Sequence, residues 1–224
     1  MIYVFGDSFS EDYKKMVGLN RMSSYMLPYT EYLGRDVKLY CDLLSEHLNQ
    51  PLINNSIGGI CNEHIFMLFM ENYSKIKTDD IIVFGWTSLE RFIVPILDEN
   101  NEYVWRSNNI TNNFLSEQTN YEVKYMMEQP LFKKKQLNLI KFIDEILPNN
   151  TTIHWTWSTI LPEQSLTIKK ETNGLVNDFH YGEEGHRYLF NKIKEQLEVT
   201  KRVRINLWDQ VDWYKFNNDN TNNT

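Results

Sequence analysis

Apolar and polar positions follow two periods along most of the chain, and their order predicts a set of elements. Ile2 to Phe5 is a short apolar run closed by Gly6, the pattern of a buried strand that feeds a tight turn. Residues 10–36 are polar and aromatic, with Pro28 and Gly34, and read as a short helix plus loop. Tyr40, Leu43, Leu44, His47 and Leu48 then share one helical face, in a helix ended by Pro51. Leu52 to Asn54 starts a second strand, and Gly58-Gly59 turns the chain. A second amphipathic stripe, Ile65, Leu68, Phe69, Tyr73 and Ile76, precedes Asp79-Asp80. The run Ile81-Ile82-Val83-Phe84 that follows is continuous, as in the centre of a parallel sheet, and ends at Gly85. Leu137, Ile140, Phe142, Ile143, Ile146 and Leu147 predict a long helix stopped by Pro148, with a strand at about 152–157 after it. The last helix starts at about Glu183 and carries His186, Leu189, Phe190, Ile193 and Leu197 on one face.

Strands alternating with helices of this length imply right-handed β-α-β crossovers. The expected fold class is therefore α/β, in three α/β/α layers around a parallel central sheet. One domain spans residues 1–198. Within it, residues 98–130 are rich in Asn, Glu, Tyr and Trp without a helical period and read as an inserted excursion. Residues 199–216 form a C-terminal extension, with Val203, Ile205 and Leu207 alternating at its start, and read as an added hairpin or a docking segment. Residues 217–224 are low-complexity and expected to be disordered.

Composition narrows the function classes. A chain of 224 residues holds one sizeable core and is short for two ordinary domains. Its formal charge of −7 argues against a grip on phosphate backbones, so no nucleic-acid partner is expected. The basic run Lys133-Lys134-Lys135 reads as a solvated helix start. Cys41 and Cys61 form no metal-ligand spacing, and each falls among apolar neighbours; spacing alone leaves a disulfide open, and two free thiols in a reducing compartment are the simpler reading. No apolar run has membrane-spanning length, and no charged segment followed by an apolar one opens the chain. A cytoplasmic location without a membrane partner is expected.

In open parallel sheets, ligands bind in the crevice beyond the carboxyl ends of the strands. Ser8, Gly58-Gly59 and Gly85-Trp86-Thr87-Ser88 follow the first three strands, and Asp178 and His180 precede the last helix. A serine at a strand-to-helix turn has free backbone N–H groups around it, which suits a nucleophile beside a developing oxyanion. His180 is the natural general base, with Asp178 or Asn177 to orient its ring. Each signal alone is weak, since Gly-Asp-Ser is a common turn tripeptide. The other histidines, His47, His64, His154 and His186, read as structural.

Taken in order, three blocks carry a family resemblance: Val4-Phe5-Gly6-Asp7-Ser8-Phe9-Ser10, then Ile53-Asn54-Asn55-Ser56-Ile57-Gly58-Gly59, and Asp178-Phe179-His180-Tyr181-Gly182-Glu183-Glu184-Gly185-His186. With these the chain resembles the SGNH hydrolases, or GDSL esterases and lipases, from Ile2 to about Leu197. The resemblance implies a flavodoxin-like SGNH-hydrolase fold, Ser8 as nucleophile, His180 as base, and an oxyanion hole of the Ser8 and Gly59 N–H groups. No metal or cofactor is implied. Two positions depart from the family pattern. Its third block is G-x-N-D, where this chain has Thr87 in place of the Asn that donates to the oxyanion, so Thr87 with its shorter hydroxyl is expected as a weaker third donor beside Ser8 and Gly59. The family's acid lies three residues before the histidine, where this chain has Asn177, with Asp178 one place later. The Gly-Trp-Thr-Ser block is similar to that of members encoded by tailed bacteriophages, which would place the protein in a host cytoplasm or a virion. The expected activity is ester hydrolysis by a serine esterase. Tyr103, Trp105, Asn108, Asn109, Asn112 and Asn113 read either as a polar surface loop with no ligand or as residues that suit a sugar, and the second reading makes removal of a short acyl group, such as acetyl, from a carbohydrate the hypothesised reaction. The alternatives are a catalytically weak or inactive virion or surface-binding module that self-associates through the C-terminal extension, and acyl transfer to a hydroxyl other than water.

Overall fold

A computed structural model describes residues 1–18, 26–87, 89, 91–97, 103–109, 130–157 and 166–205. Five strands form one all-parallel sheet: β1 (Ile2–Gly6), β2 (Leu52–Asn54), β3 (Ile81–Trp86), β6 (Thr151–Thr156) and β7 (Arg202–Ile205). Their spatial order is β2-β1-β3-β6-β7, a flavodoxin-like topology. The chain leaves β1 to one side to make β2 and returns to the other side to make β3. The topological switch point, where an open parallel sheet forms its crevice, therefore lies between β1 and β3. A separate antiparallel hairpin, β4 (Arg91–Leu97) with β5 (Tyr103–Asn109), follows β3.

Alternation along the strands builds two cores, because successive side chains point to opposite faces. Ile2, Val4, Ile81, Val83, Ile153, Trp155, Val203 and Ile205 face one layer. That layer comprises α1 (Tyr13–Gly18), α2 (Met26–Leu33), α3 (Tyr40–Leu48), a short α6 (Ile168–Glu171) and α7 (Glu183–Leu197). Tyr3, Phe5, Ile82, Phe84 and Trp86 face the other, made by α4 (Asn62–Asn72) and α5 (Pro130–Ile146). The second core is aromatic: Phe5, Phe69 and Phe84 meet with ring centroids 5.2–5.7 Å apart, and His154 stacks on Phe84 at 4.9 Å. Each such buried ring contributes about 1.5–3 kcal/mol by leaving water.

Several elements differ from the expected ones for local reasons. The described residues of 10–36 hold two helical stretches, α1 and α2, where one short helix was expected. Pro28 falls in the first turn of α2, where its missing N–H has no intrahelical acceptor to lose. The helix expected from Leu137 is described from Pro130 to Ile146, so the three lysines lie inside α5. The excursion at 98–130 is described only at 103–109 and at its last residue, and β5 there pairs with β4. The C-terminal extension enters the main sheet: residues 202–205 pair in parallel with Thr152–Trp155 and form the last of its five described strands. Their alternation explains it. Val203 and Ile205 enter the first core, while Arg202 donates to the carbonyls of Leu147 (2.8 Å), Pro148 (3.0 Å) and Asn150 (3.0 Å) past the end of α5. Arg204 pairs with Asp144. Residues 206–224, with the rest of the extension and the expected disordered tail, lie outside the described residues. Cys41 and Cys61 are both buried and unbridged. Among the described residues no helix is long and apolar enough to cross a membrane.

Candidate active site

The carboxyl ends of β1, β2 and β3 carry three of the four clusters picked out in the sequence, and a loop ahead of α7 brings the fourth. At the end of β1 the chain turns tightly, with Ser10 N–H donating to the Asp7 carbonyl (3.0 Å) and Phe9 N–H to Asp7 Oδ1 (3.1 Å). Gly6 is required by close approach, since a Cβ there would lie 2.7 Å from Ser10 Oγ. The turn leaves Ser8 half-buried at the rim, while Asp7 and Ser10 are enclosed. Ser10 Oγ meets the Tyr40 hydroxyl (2.9 Å), which accepts from Trp155 Nε1 (3.1 Å), so the turn is bolted to α3 and β6.

His180 arrives from 172 residues further along the chain. The loop before α7 pairs with the segment before and into α6: Ile168 N–H donates to the His180 carbonyl (2.9 Å), Lys169 N–H to that of Asp178 (2.7 Å), and Gly182 N–H to that of Leu166 (3.0 Å). Glu171 accepts from the N–H groups of Glu183 and Glu184, both at 3.1 Å, and so caps the start of α7. Held this way, His180 Nε2 lies 2.8 Å from Ser8 Oγ and Nδ1 lies 2.7 Å from Asp178 Oδ1. Asp178 Oδ1 also accepts the His180 backbone N–H at 2.7 Å. The carboxylate beside Nδ1 selects the tautomer with its proton there, leaving Nε2 as the acceptor for the serine hydroxyl. Phe9 covers the imidazole face at 4.6 Å and stacks on Trp157 at 5.1 Å. Burial acts to raise the Asp178 carboxyl pKa, but the hydrogen bonds and charge of His180 outweigh it and hold the group below its usual range.

Of the two candidates for the ring's partner, the structure brings Asp178 to His180, while Asn177 is exposed. Gly59 has φ +79°, a left-handed conformation that favours glycine, and Gly58 N–H is taken by Glu11 Oε1 (2.5 Å). The second block is tied to the first by Ile57 N–H donating to the Gly6 carbonyl (3.0 Å) and Asn54 Nδ2 to that of Ser10 (2.6 Å). Thr87 directly follows β3 and has 0% exposure. Its N–H donates to Asn62 Oδ1 (2.8 Å) and its carbonyl accepts from Asn62 Nδ2 (3.2 Å), so one side-chain amide holds both sides of that residue. Ser88 and the side chains of Tyr103, Trp105, Asn108 and Asn109 lie outside the described residues, as do Asn112 and Asn113 entirely.

Phe9, Glu11, Asn62 and Arg91 are the site neighbours that the sequence did not point to. Asn62 left one trace, a polar residue on the buried side of a helix start. Arg91, whose Nη1 lies 3.3 Å from Asp7 Oδ2, left none. Among the described residues no group of three or more His, Cys, Asp or Glu is placed to hold a metal ion. His154 and His186 are buried in the cores. Burial pushes them down to about 4 and about 3, the latter aided by the charge of His180, so both are neutral at pH 7. Neither a protein-family model nor a curated protein matches the chain.

Proposed function

We propose that the protein is a serine hydrolase of the SGNH type that cleaves a carboxylic ester. The observation that carries this reading is the continuous chain from Ser8 Oγ through His180 to Asp178, with links of 2.8 and 2.7 Å, at the switch-point crevice of a parallel sheet. In the proposed reaction Ser8 Oγ attacks the acyl carbon while His180 Nε2 takes the hydroxyl proton. The negative oxygen of the tetrahedral intermediate faces the N–H groups of Ser8 and Gly59, with Thr87 as a third candidate donor. Its collapse breaks the bond to the leaving oxygen, which receives the proton from His180. Water, deprotonated by His180, then attacks the acyl-serine and releases the acid with Ser8 restored. Asp178 holds the Nδ1 proton throughout and stabilises the imidazolium. The three sequence blocks shared with the SGNH hydrolases support the same assignment.

The substrate proposed is a carbohydrate bearing a short acyl group such as acetyl. Support comes from the aromatic and amide composition of residues 103–113 and from the β4–β5 hairpin, which leaves the sheet on the rim side of β3. The competing reading is a binding module that keeps the fold without useful turnover. What favours it is Thr87, which has a shorter side chain than the asparagine of the family pattern and no surface open to solvent.

A serine-reactive fluorophosphonate separates the two. Stoichiometric labelling of the protein at Ser8, absent from Ser8→Ala, is the expected outcome, read by intact mass and by the modified peptide. A folded protein that takes no label would leave the binding module standing. Among esters, faster release of acetate from acetylated glycans than hydrolysis of long-chain esters is expected, and the reverse order would remove the carbohydrate.

A further inference from the structure

The Asp7 carboxylate has 0% exposure, and a charge so enclosed is costly unless an opposite charge and hydrogen bonds compensate it. One of its oxygens accepts Phe9 N–H (3.1 Å) and so closes the turn that presents Ser8. The other faces Arg91 Nη1 at 3.3 Å. The same nitrogen reaches the carbonyl of Ile60 at 3.5 Å, immediately after Gly59. Arg91 is the first residue of β4, so the contact comes from the hairpin and not from the five-stranded sheet. We infer that Arg91 is a positioning residue: by joining the Asp7 carboxylate to the Ile60 carbonyl, one guanidinium holds the nucleophile turn and the Gly59 turn at a fixed spacing.

The inference rests on the serine-hydrolase reading, because that spacing matters when the N–H groups of Ser8 and Gly59 must meet the same oxygen. Preorganised donors act only if they already lie where charge develops, and a misplacement near 1 Å can cost about 10²-fold in rate. Both contacts come from Nη1, whose two N–H bonds diverge at fixed directions in the guanidinium plane, so one can be aimed at each acceptor. A lysine ammonium is a point charge on a flexible stem and keeps the charge without those fixed directions.

The test is the second-order rate of Ser8 labelling by a fluorophosphonate in the full chain, with the melting temperature followed alongside. Arg91→Ala is expected to label about 10- to 100-fold more slowly. Added guanidinium ion, at concentrations that leave the wild-type rate and melting temperature unchanged, should recover part of that loss. In an Asp7→Asn background the same substitution should cost far less, since the pair is already broken. A folded Arg91→Ala that labels at the wild-type rate overturns the inference and leaves the hydrolase reading intact. So does a loss that guanidinium does not reduce and that is equally large beside Asp7→Asn. If Arg91→Ala does not fold, Arg91→Lys decides: slower labelling at an unchanged melting temperature supports the bridge, and an unchanged rate overturns it. A wild-type protein inert to the reagent overturns the hydrolase reading, and this inference with it.

Discussion

Asp178 and Asn177 are adjacent in the chain, yet only one side chain meets the imidazole. The reason is local: Asp178 N–H turns back to the Val176 carbonyl (3.0 Å), while Lys169 N–H bonds the Asp178 carbonyl and Ile168 N–H that of His180, which fixes the loop against the start of α6. In that backbone Asp178 and His180 are half-buried and turned to each other, while Asn177 and Phe179 are exposed. Phe179 is accordingly 66% exposed, with the Lys169 ammonium 4.8 Å from its ring centroid. Asp178→Asn is expected to lower ester turnover by about 10²–10⁴-fold, since the amide no longer enforces the tautomer with its proton on Nδ1. Asn177→Ala should leave turnover within a factor of about 3, as surface changes generally do. Steady-state kinetics on a chromogenic short-chain ester compares them, and a larger loss in Asn177→Ala would overturn the assignment.

At the scale of elements, the rim depends on how helices and strands exchange hydrogen bonds at their ends. Asn62, at the start of α4, reads the backbone of Thr87 as a neighbouring strand would, accepting its N–H and donating to its carbonyl. Both groups are buried, so the two bonds have no ready replacement in water. Asn62→Ala should destabilise the fold by about 2–4 kcal/mol, measured by urea unfolding, from the loss of two buried bonds. A change under about 0.5 kcal/mol would show that the end of β3 does not depend on the amide. Capping by Glu171 is a second case: its carboxylate is raised by burial, and its hydrogen bonds to Tyr29 and α7 only partly offset that. Here the element after the histidine is held by a residue from the element before it, so the His180 loop is fixed from both ends.

The whole molecule buries two histidines, one in each core. His154 packs between the sheet and α5, accepting from Trp86 Nε1 (3.1 Å), with the Asp144, Arg202 and Arg204 cluster at its other edge. His186 stacks on Tyr40 and meets Tyr181 edge to face on the opposite side. Both have folded pKa values below the ordinary 6.5, at about 4 and about 3. The unfolded chain therefore binds protons that the folded one refuses, and stability present above pH 6.5 is lost as the pH falls toward 4. Each histidine contributes a slope of up to about 1.4 kcal/mol per pH unit in that window. Urea unfolding from pH 7.5 to 4.5 should show the decline, and His154→Gln should flatten it. A flat profile in the wild-type protein would mean that neither ring is held neutral. Asp178, whose folded pKa is lowered, adds a loss in the same direction at still lower pH.

Much of this was legible in one dimension. Hydrophobic period alone marked β1, β2, β3, β6, α3, α4 and α7, because burial on a face or on both faces of a sheet is written directly into residue spacing. The order of those elements implied a parallel sheet, and the position of Ser8, Gly59 and Asp178-Phe179-His180 after strands or before a helix pointed to one rim. What the sequence could not decide depends on pairing across long separations. Residues 202–205 are too short a run to announce a strand of the main sheet, and only β6 beside them and Asp144 beneath them make one. Strand order, and with it the switch point between β1 and β3, is likewise a property of the assembled sheet. Arg91 against Asp7 joins positions 84 residues apart, and Asn62 against Thr87 joins positions 25 apart. Such contacts leave no period in the chain, because they are set by where the backbone delivers two side chains.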